Sequence, residues 1–285
     1  VQESPVTVAD RAAETAMRSL IEKRYPDHGI YGEEVMAGPP PLCIIPFCLL
    51  RRRDAPFCLC SFCVFWSVCA DPPPASSALP FTLFRVPAET RPARCTNRHS
   101  VRPQHGSVRT DAEFVWVLDP IDGTKSFITG KPLFGTLIGL CHHGVPTIGI
   151  IDQCVLKERW LGIRGVKTEL NGERVHATGC AKLSEAMLYA TTPHMFAEGD
   201  EANAFARVRD TVKRPLYGCD CYAYGLVASG FGADLVVEAD LGLYDYTALV
   251  PVLLGAGGCM TDWTGAELTI ANHEASKGRV LATAN

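Results

Sequence analysis

The chain has 285 residues, 47% of them apolar and 20% charged, enough to bury the core of one large or two ordinary domains. With 27 basic against 31 acidic residues the formal charge is −4 and no basic stripe is present, which argues against a nucleic-acid partner. The longer of two apolar runs, 55–70, has 16 residues and is separated from 42–50 by Arg51 to Arg53, short of the roughly 18–20 residues that cross a bilayer; no membrane partner is expected.

In chain order, Val8 to Tyr25 places Ala12, Ala13, Ala16, Met17, Leu20 and Ile21 at helical spacing, and Pro26 ends the run. Thr7 and Asp10 read as a capping pair, with Asp10 a helix-start carboxylate favoured by the dipole. His28 to Tyr31 is a brief strand that runs into Gly32-Glu33-Glu34, where adjacent glutamates read as a solvated loop.

The character changes at about residue 39. Prolines, arginines and seven of the thirteen cysteines crowd the text up to residue 108 without a sustained period. Cys58, Cys60, Cys63 and Cys69 do not have the spacing of paired zinc knuckles. In a chain with this much core-forming sequence the cysteines read as free thiols in a reducing compartment. Residues 1–38 and 109–285 thus form two pieces of one domain, with 39–108 a disordered Pro/Cys/Arg-rich insertion between them.

Phe114 to Leu118 is an apolar run that reads as a short buried strand. It meets Asp119-Pro120-Ile121-Asp122-Gly123-Thr124, where Pro120, lacking an N–H, is expected to stop the ladder. Gly123 permits a tight turn and exposes the amides that follow. Two hard carboxylates beside exposed N–H groups suit a divalent cation and the phosphate it bridges. Strands at 137–140 and 147–151 flank the turn at His142-His143-Gly144, where the histidines read as a solvent-exposed pair because no third ligand is spaced with them.

Lys157 to Ile163 continues the sheet, Asn171-Gly172 turns it, and Ser184 to Tyr189 leads into another strand. Glu201 to Lys213 is an amphipathic helix, Tyr222 to Gly230 a helix of small apolar residues, and Asp234 to Glu238 a strand. Thr247 to Gly255 is a buried helix that Asp245 precedes in the manner of an N-cap. Cys259 to Asp262 restarts a strand. Strands alternating with helices in this way predict layered α/β or α+β architecture.

Gly32-Glu33-Glu34, the Asp119–Thr124 string, and Tyr244-Asp245 followed by Ala256-Gly257-Gly258 together resemble the inositol-monophosphatase-like superfamily of metal-dependent sugar and alcohol phosphatases, over residues 4–37 and 109–285. Asp122 to Phe127, Thr129 to Pro132, Gly218 to Tyr222 and Tyr244 to Pro251 look most like the histidinol-phosphate phosphatase branch of plants and algae. An inositol monophosphatase would more typically carry Thr-Asn where Lys125-Ser126 stand, and Trp in place of Tyr244.

The resemblance implies an alternating α/β sandwich, and it implies that Glu33, Asp119, Asp122, Asp245 and the Ile121 carbonyl bind Mg2+. Thr124 with Asp10 would orient and deprotonate a water, so that Asp10, Thr124 and Glu33 are the catalytic set. The Gly123 and Thr124 amides would hold phosphate, and Glu238 matches an acidic substrate-contacting position. Asp220 is our own assignment for the cationic end of histidinol, since an ammonium or imidazolium requires a carboxylate.

Further implications are a small phosphorylated substrate, a homodimer, and a soluble protein, of the plastid stroma by the resemblance and otherwise cytoplasmic. Relative to the family the chain lacks a first and a last helix. Three functional readings follow: a histidinol-phosphate phosphatase, an inositol monophosphatase or other small phosphomonoesterase, and a metal-binding fragment without turnover that the insertion disrupts.

Overall fold

The computed structural model describes residues 8–36 and 109–285. The capping role of Thr7 and the insertion assigned to 39–108 lie outside them. In order, the elements are α1 (Val8–Arg24), β1 (Gly29–Gly32), a 3-10 turn (Glu33–Met36), β2 (Phe114–Asp122), α2 (Thr124–Ile128), β3 (Gly135–His142), β4 (Val145–Gln153), β5 (Glu158–Ile163), β6 (Glu169–Leu170) and β7 (Glu173–Arg174). The second half comprises β8 (Met187–Ala190), α3 (Asp200–Arg209), β9 (Arg214–Tyr217), α4 (Cys221–Ser229), β10 (Leu235–Glu238), α5 (Leu243–Tyr246), α6 (Leu249–Gly255), β11 (Cys259–Thr261), α7 (His273–Ser276) and β12 (Val280–Thr283).

Two sheets result. One is seven-stranded in the order β1 to β7, parallel between β1 and β2 and antiparallel thereafter. The other has five strands in the order β11-β12-β10-β8-β9.

The period-two alternation of β2 assigns the layers. Val115 and Val117 face inward, onto a core shared with α4 (Tyr224, Val227), α6 (Leu249, Val252, Leu253) and the second sheet (Val236, Val280, Ala282). Trp116 and Leu118 face the other way, onto Met17 and Ile21 of α1. On the far side of the second sheet, Leu188 and Val237 pack with Phe205 of α3. The order is therefore helix, sheet, helices, sheet, helix: the alternating sandwich expected from the sequence, because each sheet has two apolar faces that need covering.

Most boundaries shift by one or two residues, and three departures from the sequence reading bear on the site. β2 does not stop at Pro120 but runs on to Asp122, its register with β3 shifting between Asp119 and Asp122. Proline removes one donor without ending the extended backbone, and the Pro120 carbonyl is still used, accepting the Thr136 hydroxyl at 2.8 Å. α3 ends at Arg209, since residues 210–213 turn to bring the chain into β9. The glutamates after β1 are not a solvated loop: Glu34 is buried.

A row of glycines determines how the central helices approach. Gly139, Gly149 and Gly162 stand opposite one another on β3, β4 and β5. A Cβ at Gly139 would lie 2.8 Å from Thr247, and one at Gly149 or Gly162 would collide with the backbone of Ala248 or Val252. The chain from Thr247 to Val252 seats in this side-chain-free trough, and the seat fixes the height of Asp245 just before it. A Gly149→Ala substitution is expected to lower stability by about 1–3 kcal/mol through overpacking, read as a reduced denaturation midpoint with an unchanged denaturant slope.

Candidate metal centre

In a regular strand, residues three apart point to opposite faces. The register shift at Pro120 cancels that alternation, and Asp119 and Asp122 turn toward one another. With Asp245 from α5 they offer three carboxylate oxygens that all lie within 4.8 Å of one another.

A backbone N–H orients each of the three. Ile121 N–H donates to Asp119 Oδ1 at 3.1 Å, Cys221 N–H at the start of α4 donates to Asp122 Oδ2 at 2.6 Å, and Gly242 N–H donates to Asp245 Oδ2 at 2.6 Å. Asp245 is therefore not the cap of the helix that follows, as its place in the sequence suggests; it lies within α5, where its carboxylate reaches back to the Gly242 N–H, and it is a member of the cluster. The Asp122 carboxylate also lies against the positive end of the α4 dipole.

The other assigned residues fall around this cluster. Glu33 lies beside Asp119, close enough for the two carboxyls to share a proton, and its Oε2 is buried with no hydrogen-bond partner among the described residues. Asp10, fully buried on α1, lies within electrostatic reach of Glu33 and Glu34. Thr124 opens α2, and its hydroxyl donates to the Ile121 carbonyl at 3.1 Å. Gly123 has φ +78°, and a Cβ there would lie 2.8 Å from Asp220 Oδ2, so both backbone and neighbour require glycine. The two glycine and threonine amides open a short helix, where N–H groups lack intrahelical partners.

Asp220 and Glu238 differ in availability. Asp220 is half-buried at φ +46° and accepts the Ser126 hydroxyl at 3.1 Å, with Lys125 and Lys131 near enough to offset its charge. Glu238 is buried on β10 and occupied within the protein. Its Oε1 takes the Thr191 N–H and hydroxyl at 2.7 and 2.6 Å, and its Oε2 takes the Tyr224 hydroxyl at 2.6 Å.

Burial, followed by repulsion among the acids, raises the carboxyls of Glu33, Asp119, Asp122 and Asp245. Glu33 is pushed up to about 7 and Asp122 to about 8, while Asp119 and Asp245 are raised well above the usual carboxylate range. Desolvation is the largest cause in each case, and neighbouring carboxylates add to it. Hard oxygen donors, an unpartnered buried oxygen and excess negative charge are what a divalent cation relieves, so the residues present fit such an ion.

Sequence reasoning missed Glu14. One turn beyond Asp10, it is buried, accepts Arg18 Nε at 2.6 Å and the Glu34 N–H at 2.8 Å, and packs against Gly32. It fastens the loop that carries Glu33 to α1. Its signal was its spacing, four residues after Asp10 and four before Arg18, on a face otherwise read as an ordinary amphipathic helix.

A layered α/β sandwich with acids converging at strand and helix ends is the architecture of a cation-dependent enzyme class. The sequence profile of the inositol monophosphatase family matches residues 89–284, and the chain belongs to that family, whose members are metal-dependent phosphomonoester hydrolases. It is 44% identical over 282 residues to the bifunctional phosphatase IMPL2, chloroplastic, of Arabidopsis thaliana, covering 99% of this chain and 60% of that protein. It is 30% identical over 177 residues to a histidinol-phosphatase of Chlorobaculum parvum, covering 60% of this chain and 68% of that one. The chain thus spans three fifths of the length of the Arabidopsis relative. Among solved structures, an inositol monophosphatase from Zymomonas mobilis superposes with TM-score 0.67 at 34% identity, covering 100% of this chain and 81% of that one.

Two outcomes follow. Because the folded carboxyls are raised above their unfolded values, the stability they contribute is present at acid pH and is lost as pH rises through about 7 to 8. Metal-free protein is therefore expected to melt lower at pH 8.5 than at pH 6, with added divalent cation raising the melting temperature more at the higher pH. Replacing Glu14 by Ala strands Arg18 and frees the Glu33 loop. It is expected to cost about 3 kcal/mol and to weaken cation binding, measured by melting and by calorimetric titration.

Proposed function

We propose that the protein hydrolyses small phosphomonoesters, that its ion is Mg2+, and that its preferred substrate is L-histidinol phosphate, giving L-histidinol and phosphate. The observation that carries this reading is the placement of a further acid, Asp220, immediately across Gly123 from the Asp119–Asp122–Asp245 cluster.

Glu33, Asp119, Asp122, Asp245 and the Ile121 carbonyl would hold the ion. When bound, Mg2+ neutralises phosphate oxygens, lowers the pKa of a bound water and stabilises the leaving alkoxide. The Gly123 and Thr124 amides offer donors to the phosphate. With its proton committed to the Ile121 carbonyl, the Thr124 oxygen is left as an acceptor for a water O–H, which fixes where that water stands. Asp10 and Glu33, within electrostatic reach of one another, are the acceptors for the proton released. Water oxygen bonds to phosphorus, the ester P–O bond breaks, and the alcohol departs with a proton.

Substrate choice rests on charge. A half-buried carboxylate so near a phosphate pocket repels an anionic ester and leaves a neutral one with an unmatched acid. A cationic amino alcohol supplies the missing partner. Glu238, occupied by Thr191 and Tyr224, contributes by anchoring the wall behind Asp220 and by adding negative potential. The similarity to a histidinol-phosphatase supports the same substrate, and the similarity to an inositol monophosphatase supports the neutral alternative.

Phosphate release from histidinol phosphate, inositol 1-phosphate and a nucleotide monophosphate, each with and without Mg2+, separates these readings. Release without dependence on the ion, or release from none of the three, would remove the proposal. Asp122→Asn is expected to lower turnover at least about a hundredfold, the scale of losing one charge-stabilising group, with its melting curve near the parent's. Asp220→Asn is expected to lower kcat/KM for histidinol phosphate by about 10–100-fold while sparing inositol 1-phosphate.

A further inference from the structure

The turn between β3 and β4 lies at the end of β2 opposite the acid cluster, six residues from Asp119 and so roughly 20 Å away. Its two central residues, His143 and Gly144, both have positive φ, +49° and +76°, the geometry of a tight two-residue hairpin. Consecutive residues on a strand point to opposite faces, but the left-handed His143 breaks that alternation. The rings of His142 and His143 come to lie 4.3 Å apart, centroid to centroid.

Glu113, far away in sequence, completes the group. Its carbonyl accepts the His143 N–H at 2.7 Å, and its Oε1 lies 3.5 Å from His142 Nε2. The three side chains offer ligand atoms that all lie within 4.8 Å of one another. The histidines are solvent-facing, as the sequence reading has them, but a third potential donor, Glu113, stands beside them just ahead of β2, which residue spacing alone does not reveal.

We propose that Glu113, His142 and His143 form a second cation site, one that takes a nitrogen-preferring transition ion of the zinc class in place of the hard cation suited to the acid cluster. Imidazole suits zinc, copper and nickel, whereas magnesium favours oxygen ligands. Three protein donors with one position open to water are a common zinc arrangement, and two atoms each about 2.0–2.1 Å from one tetrahedral ion lie roughly 3.4 Å apart. The Glu113–His142 separation of 3.5 Å already has that span.

The donors are also held. Phe114, paired across the strands with His142, stacks on its ring at 4.7 Å and 21° and is itself stacked on His28 at 5.0 Å. The backbone hydrogen bond from His143 ties Glu113 to the turn. An ion there joins the start of β2 to the β3–β4 hairpin without touching the catalytic carboxylates.

The test is a zinc titration of the full chain, free of any histidine tag and with Mg2+ in excess to occupy the acid cluster, followed by imidazole nitrogen chemical shifts. The expected result is that the His142 and His143 signals move together as one site fills, and that Glu113→Gln weakens the response. His142→Ala is expected to abolish the movement of His143 and to lower affinity at least about tenfold. These side chains are solvent-facing, so a melting curve verifies that the variants fold. Independent movement of the two rings, persistence of the His143 response in His142→Ala, or no movement in the parent protein overturns the site. None of these readouts depends on phosphatase activity.

Discussion

The cost of gathering carboxylates in a dry place shapes this molecule. Glu33, Asp119, Asp122 and Asp245 come from three separate parts of the chain, and burial raises each of them toward its neutral form. A protein does not hold such a group together by attraction among its members. It holds them by what lies behind: backbone N–H groups that take one oxygen of each aspartate, a helix dipole under Asp122, and the Glu14–Arg18 pair behind the Glu33 loop. The layers of the fold supply rigid origins for these supports.

That rigidity has an identifiable source. The seven-stranded sheet has apolar side chains on both faces of β2, so α1 and the central helices are pressed onto it from opposite sides. Glu33 arrives with the α1 side and Asp245 with the central side, and they meet where β2 carries Asp119 and Asp122. The glycine trough of Gly139, Gly149 and Gly162 lets the backbone ahead of α6 descend close to the sheet, which a methyl group at any of these places would prevent. Packing far from any charged atom thereby fixes the position of a charged one.

Much of this could be read in the sequence, and what could not has physical reasons. Apolar alternation and helical spacing located most elements, and the Asp119–Thr124 string marked the centre of the site. The path through Pro120 was misjudged because a missing donor was equated with the end of a strand, when an edge of the ladder can lose one bond and continue. Glu14 and Glu113 were missed for a different reason. Each meets a partner distant in sequence or in another element, Glu34 for one and the histidine turn for the other. A local pattern records propensity, whereas these roles exist only once the chain has folded.

The two carboxylates beyond the acid cluster show how one negative field can serve two purposes. Glu238 is fully hydrogen-bonded within the protein by three donors and behaves as structure. Asp220 accepts the Ser126 hydroxyl, sits in a strained positive-φ backbone, and is tempered by Lys125 of α2 and Lys131 just beyond it. Its distance from the cluster is set by Gly123, the residue whose amide faces the phosphate under the proposed reading. The phosphate end and the cationic end of a substrate would therefore be measured from the same glycine. A chain that lengthened or stiffened that turn would change selectivity and rate together, because the selecting acid and the phosphate-holding amides share one stretch of backbone.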